Sequence, residues 1–241
     1  EDENGTLMHQ GGRRQEAVSP LSPVSCLLSP LSPMLPSLIP IFPLPNVVLF
    51  PSVFLPLHIF EPRYRQMLAD ALRGDRIIGM VLLKGGRDDI EEPPPVYSVG
   101  CAGLVSHAET LQDGRSNIIL RGIQRFRVVR EEADRVYRQA QIEPLREAAS
   151  DAIRGEVRLA RVQLETLLAN RLETAGGEPV VPGDMADEDL VNTLAQYLDF
   201  DPVEKQALLE REDAASRSRA LIELIELRAL ATEPLAGLGP Q

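Results

Sequence analysis

Residues 39–68, IPIFPLPNVVLFPSVFLPLHIFEPRYRQML, decide the fold of this chain because they place prolines among bulky apolar residues in what must be extended backbone. Proline fixes φ and has no backbone N–H. Such a stretch therefore forms short strands separated by bends, or an edge strand whose missing donors face away from its neighbour. The prolines concerned are Pro40, Pro43, Pro45, Pro51 and Pro56. The pattern predicts a barrel wall or the side of a groove.

Residues 47–50 and 53–60 are predicted to be strands, and strand alternation gives them two faces that are both apolar. One face carries Leu49, Val53, Leu55, Leu57 and Ile59, and the other carries Val48, Phe50, Phe54, His58 and Phe60. Two interpretations remain open. In one, one set fills the barrel and the helical bundle covers the other. In the other, part of the aromatic set stays open and binds apolar peptide segments together with Tyr64 and Met67.

The candidate peptide-binding residues are thus Phe50, Phe54, His58, Phe60, Tyr64 and Met67. Burying one aromatic side chain contributes about 1.5–3 kcal/mol, so two or three such contacts sustain weak binding.

The remaining sequence up to residue 147 predicts mainly β structure with one helix. Glu61-Pro62 begins a helix that ends at Gly74, because proline suits the first helical turn. Residues 76–83 predict a buried strand, and residues 84–95, KGGRDDIEEPPP, predict an acidic loop. Residues 96–109 and 116–129 predict a hairpin across Asp113-Gly114, since glycine supplies the positive φ of tight turns. Residues 136–144 add another strand.

Apolar residues recur at helical spacing after residue 147. Ile153, Val157, Ala160 and Leu164 mark a first helix, and Asp201-Pro202 caps and opens a third. Four helices are predicted in all, with residues 176–184 as a loop between the first two. The fold class is therefore α+β, with a β subdomain over residues 39–147 and a helical bundle over residues 148–232.

Composition limits the function. The chain has 241 residues, 44% of them hydrophobic, which is enough for a core. A formal charge of −11 argues against nucleic-acid binding, which depends on clustered Lys and Arg. Cys26 and Cys101 suggest a reducing compartment, and prolines or charges interrupt every apolar run, so we expect a cytoplasmic protein without membrane spans. The Ser-Pro repeats of residues 1–38 predict a disordered tail, and residues 233–241 a flexible one.

The side chains that could carry chemistry favour structural roles. His9, His58 and His107 are too scattered for a metal site, and we expect no metal or cofactor. The carboxylates of the acidic loop are expected to be solvated, since nothing nearby would fix their geometry. Four further residues are assigned structural roles: Gly100, Gly122, Arg125 and Phe126. Gly122 permits a bend, Phe126 packs inward, and Arg125 holds loop carbonyls or a carboxylate.

Five segments together resemble the amino-terminal substrate-recognition domain of the Lon ATP-dependent proteases. They are PLPNVVLFP, LPLHIFEPRY, VGCAGLV, ILRGIQRFRV and LAQYLDFDPVEKQALLEREDAASRSRALIELI, in that order. The resemblance covers about residues 39–231 and implies a partly open, PUA-like β-barrel followed by a helical bundle. In the full protease this unit helps to recognise unfolded or tagged polypeptides.

The sequence lacks the G-x-x-x-x-G-K-[ST] loop that cradles phosphates in ATPases of this class, and neither of its lysines resembles a catalytic one. We therefore expect a stand-alone, non-catalytic polypeptide-binding module, an adaptor or scaffold in protein quality control. The expected partners are exposed polypeptide segments and a protease or chaperone. Three alternatives stay open: a peptidase role in a proteolytic system, RNA binding through the barrel, and self-association of the proline-broken edge.

Overall fold

The architecture is a mixed six-stranded sheet followed by a group of helices. The computed structural model describes residues 35–85, 93–132, 134–175 and 184–232. The strands are β1 (Leu38–Leu44), β2 (Phe54–Ile59), β3 (Ile77–Leu82), β4 (Val99–Thr110), β5 (Ser116–Glu132) and β6 (Gln139–Pro144). The loop carboxylates at residues 88–92, His9, Cys26 and the two tails up to residue 34 and from residue 233 lie outside the described residues.

Five of the strands close into a ring in the order β1-β3-β4-β5-β6, because β6 pairs with both β1 and β5. Only the β1–β3 pairing is parallel among the described strands. Strand β5 is long enough to bind two neighbours along one side: its first part pairs with β2 and its second part with β6. Strand β2 therefore extends the sheet beyond the ring, and the barrel is only partly closed. The predicted α+β class and partly open barrel are confirmed.

The first strand differs from the sequence prediction. Residues 47–50 are not a strand. Strand β1 lies earlier in the chain and contains Pro40 and Pro43. It changes partners along its length, pairing with β6 through Leu38, Ile39 and Pro40 and with β3 from Ile41 onwards. A strand that divides its hydrogen bonds between two short ladders tolerates prolines that one continuous ladder would exclude.

Helix α1 (Pro62–Arg73) connects β2 to β3, and four helices follow the sheet. These are α2 (Asp151–Ala175), α3 (Asp187–Tyr197), α4 (Pro202–Leu209) and α5 (Ala214–Thr232). Proline occupies the first turn of both α1 and α4, and Asp201 with Glu204 forms a capping box on α4. The predicted helical bundle is confirmed. Within the described residues, no helix has the length and apolar character needed to cross a membrane.

The helices pack directly on the sheet. One large apolar core joins residues of the barrel, such as Phe50 and Leu120, to residues of the helices, such as Leu164 and Leu221. A smaller core lies around Phe126, with Ile39 and Ile41 of β1. The division of the chain into subdomains at residue 147 stays a prediction. The shared core fixes the helices against one side of β2, which determines which of its residues remain accessible.

Candidate functional site

Strand β2 has one buried side and one exposed side. Its side chains alternate: Phe54, Pro56 and His58 are exposed, while Leu55 and Leu57 are half-buried against the large core. This alternation follows from the period of two in an extended strand. Phe54 is 51% exposed, and Phe60, just beyond the strand, is 59% exposed. We call the surface formed by Phe54, Pro56, His58 and Phe60 the β2 face.

The structure divides the six candidate peptide-binding residues into two groups. Phe54, His58 and Phe60 lie on the β2 face, and the rings of His58 and Phe60 stack with centroids 6.2 Å apart. Phe50, Tyr64 and Met67 are buried instead. Tyr64 packs against Phe42, with ring centroids 4.4 Å apart. Phe50, Tyr64 and Met67 therefore do not line an open face, because helix α1 directs Tyr64 and Met67 into the core, while peptide binding by Phe54, His58 and Phe60 stays a prediction.

Phe50 is buried because a distant helix satisfies its backbone. Its N–H donates to the Gln196 side-chain oxygen of α3 over 3.1 Å. A buried backbone donor without an acceptor would destabilise the fold, so this bond lets the bend between β1 and β2 enter the core. The bond joins residues 146 positions apart in sequence, which puts it beyond the reach of local pattern analysis.

The backbone of β2 is bonded on one side only. The Gly122 N–H donates to the Val53 carbonyl over 2.8 Å, and Pro56 lies opposite Ile119. Bonded and non-bonded pairs alternate in an antiparallel ladder. Leu55 and Leu57 therefore exchange bonds with β5, while Phe54, Pro56 and His58 direct their backbone groups to the free edge. No other described strand pairs with that edge.

Tyr197, the last residue of α3, lies at the same edge. Its side chain is 63% exposed, and its hydroxyl donates to the Phe54 carbonyl over 2.7 Å. No local sequence pattern signals this contact, because it depends on how α3 packs on the sheet. Three exposed aromatic rings thus border the free edge of β2.

The residues assigned structural roles lie elsewhere, and Arg125 lies at the junction of sheet and helices. Arg125 donates to the carbonyls of Leu209, Arg211 and Glu212 and pairs with the Glu147 carboxylate, its Nε 2.8 Å from Oε1. It therefore satisfies carbonyls that the end of α4 leaves without helical partners. Burial lowers the pKa of Arg125, and the charge of Glu147 opposes that shift. The sequence predicts that Arg125 holds loop carbonyls or a carboxylate, and it contacts both.

Gly100, Gly122 and Phe126 complete this structural set. Phe126 is fully buried. A methyl group added at Gly100 would lie 2.4 Å from the Met80 carbonyl oxygen, and one at Gly122 would lie 2.0 Å from that of Phe50. Both distances are far below van der Waals contact, so each glycine permits another stretch of backbone to approach closely.

The titratable groups of the described residues form no recognisable reaction centre. The Cys101 thiol is buried, which raises its pKa to about 12 and keeps it protonated. The His58 Nδ1 is 2.8 Å from the Asn117 side-chain oxygen on an exposed surface. No cluster of three or more His, Cys, Asp or Glu side chains in the described ranges could hold a metal ion. The β2 face offers apolar contact and backbone hydrogen bonds, which are the means of binding a polypeptide.

Residues 38–226 match the family described as the ATP-dependent protease La (LON) substrate-binding domain. The chain belongs to this family.

Curated relatives are Lon proteases, of which the chain spans about a quarter. It is 26% identical over 195 residues to a Lon protease of Cytophaga hutchinsonii, covering 78% of this chain and 24% of that protein. Lon protease 2 of Sorangium cellulosum is 29% identical over 197 residues, covering 77% of this chain and 24% of that protein.

Two solved structures share the fold. The amino-terminal domain of a Mycobacterium avium complex Lon protease has a TM-score of 0.61 at 17% identity, covering 78% of this chain and 98% of its own. A Lon N-terminal domain protein from Xanthomonas campestris has a TM-score of 0.55 at 22% identity, covering 82% and 99%. At these identities the comparisons concern the fold alone.

Proposed function

We propose that this protein is a non-catalytic polypeptide-binding module, in which the β2 face contacts apolar segments of unfolded or partly unfolded chains. The observation that carries this proposal is the exposure of Phe54 at the start of β2 and of Phe60 just beyond its end, along a strand whose free edge is bordered by Tyr197. Aromatic side chains exposed together in a folded domain commonly serve an interaction, because their burial by a partner is favourable.

The family name supports a polypeptide as the ligand, since it describes a substrate-binding domain of a protease. The charge of the chain favours a protein ligand over a nucleic acid, because a net charge of −11 repels phosphates. An adaptor or scaffold role in protein quality control follows from such binding, with a protease or chaperone as a second partner. The buried free thiol of Cys101 fits a cytoplasmic location.

Binding of an unfolded polypeptide tests the proposal. The probe is a fluorescein-labelled, carboxymethylated model polypeptide that cannot refold, titrated with the protein by fluorescence anisotropy. We expect saturable binding in the micromolar range. In Phe54→Ser the affinity should fall about three- to tenfold, because about half of a phenylalanine side chain is still available for burial by a ligand.

Leu159→Ser is the matched control. Leu159 lies on α2 and is 74% exposed, so its replacement removes a comparable apolar surface away from β2. We expect the control to bind the probe as the wild type does. Absence of saturable binding by the wild type, or equal losses in the two variants, would contradict the proposal. The protein should also leave casein intact with and without ATP.

A further inference from the structure

We infer that the free edge of β2 binds its ligand as an added strand, so that the ligand is an extended segment held by backbone hydrogen bonds as well as by apolar contact. This inference rests on the proposed function and specifies the binding mode. An edge strand presents a row of unpaired N–H and C=O groups that a second extended chain can pair with. On β2 these groups belong to Phe54, Pro56 and His58, which alternate with the residues bonded to β5.

The same residues direct both their side chains and their backbone groups toward a ligand. Phe54, Pro56 and His58 expose their side chains on the β2 face and their backbone groups at the free edge. Residues directly opposite each other in a sheet place their side chains on the same side. A strand bound antiparallel to β2, as β5 is on the other side, would therefore bond to it through every second residue, and the side chains of those residues would pack on Phe54 and His58. The ligand should be apolar at these positions.

Pro56 limits which strands can pair. It removes one N–H from the centre of the edge, so the ligand must donate to the Pro56 carbonyl there and receives no bond in return. If two copies of β2 paired with their Pro56 residues opposite each other, neither proline would supply an N–H donor at the centre. This absence disfavours pairing of β2 with a second copy. A ligand without proline at its edge-facing positions supplies the missing donors. The edge is thus adapted to a foreign strand more than to a second copy of itself.

The other open edge of the sheet lacks this character. Strand β4 continues past its last pairing with β3, at Leu104, and its distal residues also have a neighbour on one side only. Its exposed residues there are polar and include Ser106, His107 and Glu109. An apolar ligand strand would gain little contact with them. The difference in side-chain character favours β2.

Tyr197 occupies one of the acceptors that an added strand would use. Its hydroxyl donates to the Phe54 carbonyl over 2.7 Å. A ligand N–H that pairs with this carbonyl competes with the hydroxyl. Tyr197→Phe keeps the ring and removes the competing donor, so it should strengthen binding of a strand that uses the carbonyl. The exposure of Tyr197 makes this a change that the fold tolerates.

The test uses a fluorescein-labelled peptide of alternating valine and threonine with lysines at both ends, titrated with the full protein. Two N-methylated versions are compared: one methylated on the central valine amides and one on the central threonine amides. N-methylation removes a donor and adds bulk. We expect valine methylation to weaken binding at least tenfold and threonine methylation to change it less than threefold, because the threonine amides face solvent.

The second measurement combines peptide and protein changes. Tyr197→Phe should tighten binding of the unmethylated peptide about two- to fivefold, and this gain should disappear with the valine-methylated peptide. Binding that is equally sensitive to both methylation patterns would overturn strand addition and leave the proposed function intact. Failure of the unmethylated peptide to bind, with the unfolded polypeptide still bound, would also overturn strand addition. Failure of both probes would overturn the proposed function with it.

Discussion

The junction between sheet and helices and the β2 face belong to the same sheet. Charged side chains are buried at the junction, whereas apolar side chains are exposed on the β2 face. At the junction, the Glu147 carboxylate contacts two arginines that are almost completely buried, Arg125 and Arg217. On the β2 face, two phenylalanines remain half-exposed although an extensive core was available to bury them. Polar groups that are buried together with their hydrogen-bonding partners fix the position of the helices on the sheet. Leaving apolar groups without partners gains nothing for stability, so they are the ones available for binding.

The comparison predicts that stability and binding depend on different residues. Substitutions at the junction should lower the free energy of unfolding, whereas substitutions on the β2 face should mainly lower affinity for a polypeptide.

Arg217→Ala should produce the largest loss of stability, about 3–5 kcal/mol, because it removes one partner from a buried ion-pair network. The Arg217 side chain is 1% exposed, and its Nη1 donates to the Asn192 side-chain oxygen over 2.9 Å. Urea unfolding followed by circular dichroism measures the loss. The control is Arg219→Ala on the same helix. Arg219 is 67% exposed, so its ion pair should contribute less than about 1 kcal/mol. Equal losses of stability in Arg217→Ala and Arg219→Ala would contradict the claim that the buried network at the junction holds the fold.

Gly122→Ala should reduce the free energy of unfolding by about 1–3 kcal/mol, because its methyl group would lie 2.0 Å from the Phe50 carbonyl oxygen. The backbone there leads directly into β2, so binding of the unfolded polypeptide should weaken in the same variant. Gly155→Ala is the control. It has nothing within 4 Å of the added carbon and lies in α2, so it should stabilise the protein by about 0.5–1 kcal/mol. A Gly122→Ala protein as stable as the wild type would show that the Phe50 carbonyl does not approach residue 122 closely.

Local patterns account for the parts of the fold that the sequence could predict. The hairpin at Asp113-Gly114 and the helix beginning at Pro62 depend on local backbone preferences, and local patterns predicted them. At Gly122 the sequence predicts a bend, and the structure shows a close approach of the Phe50 backbone to strand β5. The alternation of β2 also depends only on the period of an extended strand. The helical spacing after residue 147 gave four helices in the correct order, because each of them buries one side against the core.

Long-range contacts explain the errors. Phe50 belonged to a predicted strand, but the Gln196 side chain accepts its N–H from 146 residues away. The sequence of β1 contains prolines that argue against a strand, yet two separate ladders accommodate it. The place of Tyr197 at the β2 edge depends on how α3 packs on the sheet. None of these contacts has a signature in neighbouring residues.

Tyr137→Phe should destabilise the protein by about 1 kcal/mol at neutral pH, because it removes one partly buried hydrogen bond. The Tyr137 hydroxyl donates to the Asp70 carboxylate over 2.8 Å, linking the segment before β6 to α1. This bond lowers the pKa of Asp70, while burial and the same bond raise the pKa of Tyr137 to about 12. Because this is a single hydrogen bond, removing it should lower the free energy of unfolding less than breaking the ion-pair network at the junction does.

The pH dependence of this difference has a definite sign. A lowered carboxyl pKa stabilises the folded state above the ordinary value near 4, and the contribution is lost as pH falls through the folded value. A raised tyrosine pKa stabilises it below about pH 10, and that contribution is lost as pH rises toward about 12. The difference between wild type and Tyr137→Phe should therefore shrink at both extremes. If the difference in stability between wild type and Tyr137→Phe stayed at about 1 kcal/mol from pH 3 to pH 11, the assignment of the effect to the Tyr137–Asp70 hydrogen bond would be contradicted.

Phe60→Ser should change stability least, by less than about 0.5 kcal/mol, because the side chain is 59% exposed and its neighbour on the face is the His58 ring. Affinity for the unfolded polypeptide should nevertheless fall about three- to tenfold, as more than half of the ring is available to a ligand. Urea unfolding and fluorescence anisotropy on one preparation give both values. A stability loss above about 1 kcal/mol with unchanged affinity would assign Phe60 to the core, and the β2 face would then resemble the junction instead of differing from it.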